Sequence, residues 1–141
     1  MDKPHKKLDV WKLSIDLVVE IYKLTQLLPH EEKYNLISQM KRAVISIPGN
    51  IAEGAARNTK KEFIHFLHIA QGSLSELDTH LDVVRRLKFL QDQDFHFTDG
   101  LMERIDKMLT GLIRHEKSAH ALRLTSDDRK RSMHGNSNNR R

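Results

Sequence analysis

A chain of 141 residues is the size of one domain and long enough to bury a sizeable core. It has no cysteine, which excludes disulfides, thiolate metal sites and cysteine nucleophiles together. Lys and Arg number 24 against 19 Asp and Glu, a net charge of +5, yet residues 123–141 hold six of those cations against only Asp127 and Asp128, leaving the first 122 residues nearly neutral. The N-terminus, MDKPHKKLDVWK, lacks an apolar leader core, and no apolar run approaches the ~20 residues of a membrane span, so a cytoplasmic protein with no membrane contact is expected.

Four helical segments follow from the periodicity, and no strand does. The first is expected from about Val10 to Leu28, with Asp9 as N-cap and Pro29 as terminator. Trp11, Ile15, Val18 and Tyr22 form one ridge on it; Leu17, Ile21, Leu24 and Leu28 form the next. The second is expected from about Glu32 to Arg57, either kinked near Pro48 or split there into two abutting helices. Ile37, Met40, Val44, Ile47, Ile51 and Ala55 make its apolar face. The third opens on a capping box, Thr59-Lys60-Lys61-Glu62, and carries Phe63, Leu67, Ala70, Leu74, Leu77, Leu81 and Val84 in alternating steps of four and three. The fourth starts near Asp92 and runs through Leu101, Ile105, Met108, Leu112 and Ile113 towards about Leu122. Residues 123–141 are polar, small and basic, and read as a disordered tail after a bundle of residues 1–122. Amphipathic helices of this length with short links predict an all-α, antiparallel up-and-down four-helix bundle. Gly54, beside Ala52, Ala55 and Ala56, is expected at a close helix approach; for Gly72 a close approach and a tolerated glycine weigh equally.

The second helix also carries a polar stripe. Gln39, Arg42, Ser46, Asn50, Glu53 and Arg57 keep the helical step on a face centred roughly 140° from the apolar one. A face that is only solvated is usually rich in Lys and Glu, whereas these groups make directed hydrogen bonds, so the stripe is expected to touch something. Arg42 and Arg57, with Lys60 and Lys61 just beyond, are the residues expected to contact an anion.

Catalytic and metal readings find little support. Glu62 and His65 have the E-x-x-H spacing of di-iron bundles, but no second such motif exists and Glu62 is already explained by capping. His115 and His120 stand five apart and so do not share a helix face. No Walker loop, dinucleotide fingerprint or G-x-S-x-G is present, and the serines have no assignable base. No cofactor, metal or catalytic residue is expected. Trp11, Tyr22, Phe63 and Phe66 sit at helical spacing and read as core before base-stacking platforms.

Three stretches carry a family resemblance: LDVWKLSIDLV at 8–18, LPHEEKYNLISQMKRAVISIPGNIAEGAAR at 28–57 and KKEFIHFLHIAQGSLSELDTHL at 60–81. The chain resembles the four-helix-bundle proteins encoded within intervening sequences of bacterial 23S rRNA genes, the S23 type. That resemblance implies a homopentameric ring with no enzymatic activity. A relative, the accessory protein of diversity-generating retroelements, binds nucleic acid and a reverse transcriptase. The expectation is therefore a non-enzymatic homo-oligomeric scaffold whose partners are RNA or DNA, or a nucleic-acid-processing protein. A protein–protein interaction module with no nucleic-acid role is the alternative. Gln39, Arg42, Ser46, Asn50, Glu53, Arg57, Lys60 and Lys61 are the expected nucleic-acid or subunit interface.

Overall fold

The computed structural model describes residues 1–135, and among these there are helices and turns but no strand. A short 3-10 turn at Pro4–Lys7 leads into α1 (Asp9–Thr25). A second at His30–Glu32 precedes α2 (Leu36–Ala55), and α3 (Lys60–Arg86) and α4 (Asp92–Gly135) follow. Each helix packs on its chain neighbours and α4 closes against α1, while the backbones of the diagonal pairs stay apart. The links of four and five residues after α2 and α3 leave only antiparallel neighbours. Contacts run accordingly: Ser46 meets Ser73 while Gly54 meets Phe66, and Lys60 meets Glu116 while Arg85 meets Asp99.

One stripe from each helix fills the centre. Leu17 and Ile21 of α1, Met40, Val44, Ile47 and Ile51 of α2, and Leu67, Leu77 and Leu81 of α3 meet Phe95, Ile105 and Leu109 of α4, all essentially inaccessible. The expected α3 seam is buried throughout except at Phe63, which is half-buried. On α1 the ridge of Leu17, Ile21, Leu24 and Leu28 is buried together with Val10. Of the other ridge, Trp11 and Val18 are partly buried against the core, while Ile15 and Tyr22 each stay 38% exposed.

The element ends correct the expectations in several places. Asp9 lies inside the first turn of α1 rather than capping it, and Leu8 takes the cap position without a side-chain bond. The Asp9 carboxylate still favours the positive end of the helix. α2 begins at Leu36, four residues later than expected, because Pro29 and the following 3-10 turn hold 30–32 outside the helix. It then runs unbroken through the buried Pro48, so two abutting helices are ruled out. Thr59 accepts from the Glu62 amide at 3.2 Å, as a capping box requires, but the Glu62 carboxylate takes the Thr59 hydroxyl at 3.0 Å instead of the Thr59 amide.

At the far end, Lys88 has φ 57°, the left-handed conformation that stops α3. Arg85 bridges the turn, bonding Asp82 at 2.8 Å and Asp99 of α4, with its guanidinium 4.4 Å from the Phe95 ring centre. Burial alone would lower the Arg85 pKa, but the bonds and charges of Asp99 and Asp82 outweigh it and raise it. A base whose pKa rises on folding loses that stabilisation only as pH climbs through the folded value, so this clasp keeps its cation throughout the ordinary pH range.

The disordered stretch expected from residue 123 is instead helix through Gly135, and residues 136–141 of that stretch lie outside the described residues. No Pro or Gly interrupts 112–134, and Leu, Arg and Lys are good helix formers, which accounts for the continuation. Every residue from Ala121 to Gly135 is exposed, so this part of α4 belongs to no core.

Candidate interface on the second helix

The α2 stripe divides into a half that the bundle uses itself and a half that faces outward. Ser46 and Asn50 are half-buried against α3. Asn50 Nδ2 donates to the Ser46 carbonyl at 2.7 Å and to Ser46 Oγ at 2.9 Å. Ser46 Oγ lies 2.7 Å from Ser73 Oγ, and Ser73 Oγ lies 3.2 Å from the Ile69 carbonyl. Since each hydroxyl has one proton, the chain has one consistent direction: Asn50 to Ser46, Ser46 to Ser73, Ser73 to Ile69. These groups form a seam between α2 and α3.

Below the seam, Gly54 lets the helices close. A Cβ there would stand 2.7 Å from Phe66 Cβ and 3.0 Å from the Phe63 ring, so the expected close approach is real. Gly72 has open space around its Cα, and the tolerated-glycine alternative holds for it. Arg57 then pairs with Glu53 at 2.8 Å and lays its guanidinium 4.8 Å from the Phe66 ring centre. Lys60 reaches across to α4, 2.8 Å from the buried Glu116. The pair gives the largely buried Glu116 carboxylate a counter-charge while the Lys60 side chain stays partly exposed.

Three members of the expected set keep open positions. Gln39 is exposed with only a long 3.5 Å contact to Asn35. Arg42 and Lys61 are exposed and make no hydrogen bond or ion pair among the described residues. The structure thus gathers Ser46 and Asn50 into one seam and Glu53 and Arg57 into one pair, with Lys60 turned to α4. The eight do not converge on one spot. Glu62 of the E-x-x-H is held by Thr59, and His65 stands edge-on to Phe66 at 5.5 Å. Among the described residues no group of three or more His, Asp or Glu could hold a metal ion.

Ser73 and Glu116 were missed as partners. Ser73 sits one position before Leu74 on the α3 seam, an easily ignored small residue. Glu116 was detectable: it continues the buried steps Ile105, Leu109, Ile113, and a carboxylate in a core register demands a cation.

Apolar side chains also stay partly open on α1 and α2. Ile15, Val19 and Tyr22 on α1 and Ile45 on α2 are between 38% and 48% exposed. Gly49 is exposed one turn beyond Ile45, and the Lys41 ammonium sits 4.6 Å over the Tyr22 ring. No helix among the described residues is long and apolar enough to cross a membrane.

A closed antiparallel bundle with a hydrogen-bonded α2–α3 seam defines a small four-helix-bundle protein. The chain matches the sequence profile of the 23S rRNA-intervening sequence proteins over residues 6–111, and it belongs to that family. Its fold is similar to that of a protein of unknown function from the S23 ribosomal protein family of Bacteroides thetaiotaomicron, at 25% identity and a TM-score of 0.69, over 74% of this chain and 95% of that one. No curated protein matches the chain.

Proposed function

We propose that the protein is a non-enzymatic, self-associating helical scaffold of the cytoplasm that holds nucleic acid, RNA in the first place, or a protein that handles it. The observation carrying this reading is the set of partly exposed apolar side chains on α1 and α2, Ile15, Val19, Tyr22 and Ile45, with the unpartnered Arg42 one turn from Ile45. Exposed apolar side chains grouped on neighbouring helices mark an interaction site, and a nearby cation adds affinity for phosphate. A ring of five copies is the stoichiometry expected from the family resemblance. Sedimentation equilibrium tests the first half: Ile45→Asp should dissociate an assembled wild type, and a wild type monomeric at every concentration would end the self-association reading. Filter retention of labelled RNA tests the second. Binding should fall steeply with salt and weaken in the double variant Arg42→Ala with Lys61→Ala, and no retention at low salt would refute an RNA role.

A second reading, a protein–protein module without nucleic acid, is favoured by one feature. Arg57 and Lys60, two of the four expected anion contacts, are already paired with Glu53 and Glu116. Under that reading RNA retention stays at background while Ile45→Asp still dissociates the assembly.

A further inference from the structure

Charge is separated along this chain. Residues 75–106 hold eight carboxylates against four Lys and Arg, whereas residues 107–141 hold nine Lys and Arg against three carboxylates. The two populations occupy distinct places. Between α3 and α4 lies a groove of about 440 Å³ with Leu74 and Met102 in its lining, both nearly inaccessible. Asp78, Glu103 and Asp106 line it as well and have no ion-pair or hydrogen-bond partner among the described residues. Arg85, at one end, is already engaged by Asp82 and Asp99.

The cations stand on the bare end of α4. From Leu122 to Gly135 the helix advances about 20 Å with no residue of the bundle covering it. Arg123, Arg129, Lys130 and Arg131 make no ion pair among the described residues. Leu122 and Met133 are 71% and 76% exposed, and their spacing of eleven residues puts them on one face, with Arg129 between. This stretch continues a packed helix and has no tertiary cover of its own. It lies beyond the stretch that matches the family profile.

We infer that the bare end of α4 docks, in a second copy of this chain, into the groove between α3 and α4. This deepens the self-association proposed above and rests on it. An apolar-and-cationic face meets a groove with an apolar lining and unpartnered carboxylates. The contact must be intermolecular: Asp106 and Arg123 sit on one unbroken helix, about 25 Å apart along its axis, so the extension cannot reach its own groove. The charges select a second copy as occupant: among the described residues Asp78, Glu103 and Asp106 line the groove without partners, and Arg123, Arg129, Lys130 and Arg131 stand without ion pairs on the extension.

The chain's lack of cysteine makes a direct test clean. Full-length Ser75→Cys, on the groove lining, is mixed with full-length Ser132→Cys, on the extension, and oxidised. The mixed disulfide dimer should form at least about tenfold faster than in a mixture of Ser38→Cys, on α2, with Ser132→Cys. Reversing the groove (Glu103→Lys with Asp106→Lys) or the extension (Arg129→Glu, Lys130→Glu and Arg131→Glu) should each abolish that preference. Placing both reversals in each cysteine chain should restore it, which a merely misfolded variant would not do. Equal crosslinking of the two mixtures, or indifference to reversal, overturns the inference. If the wild type still assembles and Ile45→Asp still dissociates it, the scaffold reading survives that loss. Loss of RNA retention on reversing the extension, without preferred crosslinking, would assign those cations to nucleic acid and equally overturn the docking.

Discussion

A methyl group added at Gly54 has nowhere to go: Phe66 Cβ would lie 2.7 Å away, and Phe66 is pinned beneath Arg57. Gly54→Ala should therefore cost about 1–3 kcal/mol, the range for overpacking, measured by urea denaturation. Gly72→Ala fills open space on a helix surface and should gain up to about 1 kcal/mol through helix propensity. Equal responses would show that the α2–α3 approach is looser than its geometry indicates. Lys88 holds a positive φ that a glycine adopts without penalty, so Lys88→Gly should stabilise the end of α3 by roughly 0.5–1 kcal/mol, read from the same denaturation midpoints.

Among the elements, the α2–α3 seam is where polar groups specify how two helices sit. Ser46→Ala removes one of the two acceptors for Asn50 and the donor to Ser73, and should cost about 0.5–1.5 kcal/mol. A double-mutant cycle with Ser73→Ala should show coupling of roughly 0.5–1.5 kcal/mol, and zero coupling would mean the hydroxyls are satisfied separately. This seam also shows where sequence reasoning stops. The apolar stripes of α2 and α3 were readable because burial imposes a period. The polar stripe of Gln39 to Arg57 was readable as a face needing partners. Its partners were not, since a period fixes the direction of a side chain on its own helix and says nothing about what the neighbour places opposite. Ser73, Phe66 and Glu116 enter only once the register of α3 and α4 is known. Helix ends were misread for a related reason: Asp9 suits an N-cap and a first turn equally, and the choice rests on how residues 4–8 pack on α1 and α2.

For the whole molecule, the core ends well before the chain does. Deleting residues 123–141 removes no buried residue among those described, so the thermal midpoint should stay within about 2 °C of the full chain under conditions where the protein is monomeric. A larger drop would show that the bare end of α4 supports the fold. The continuation of α4 was hidden from composition, because the same polar residues suit coil and solvated helix, and no breaker separates them. That continuation makes the molecule long. A compact chain of 141 residues has a radius of gyration near 14 Å, whereas the 44 residues of α4 alone measure about 66 Å from end to end. In X-ray scattering from dilute solution, the pair-distance distribution should therefore carry a thin tail extending well past the bundle's own width. The same overhang sets the closest packing of neighbouring bundles: any array they form must leave a channel for it or fill the space between bodies with helix.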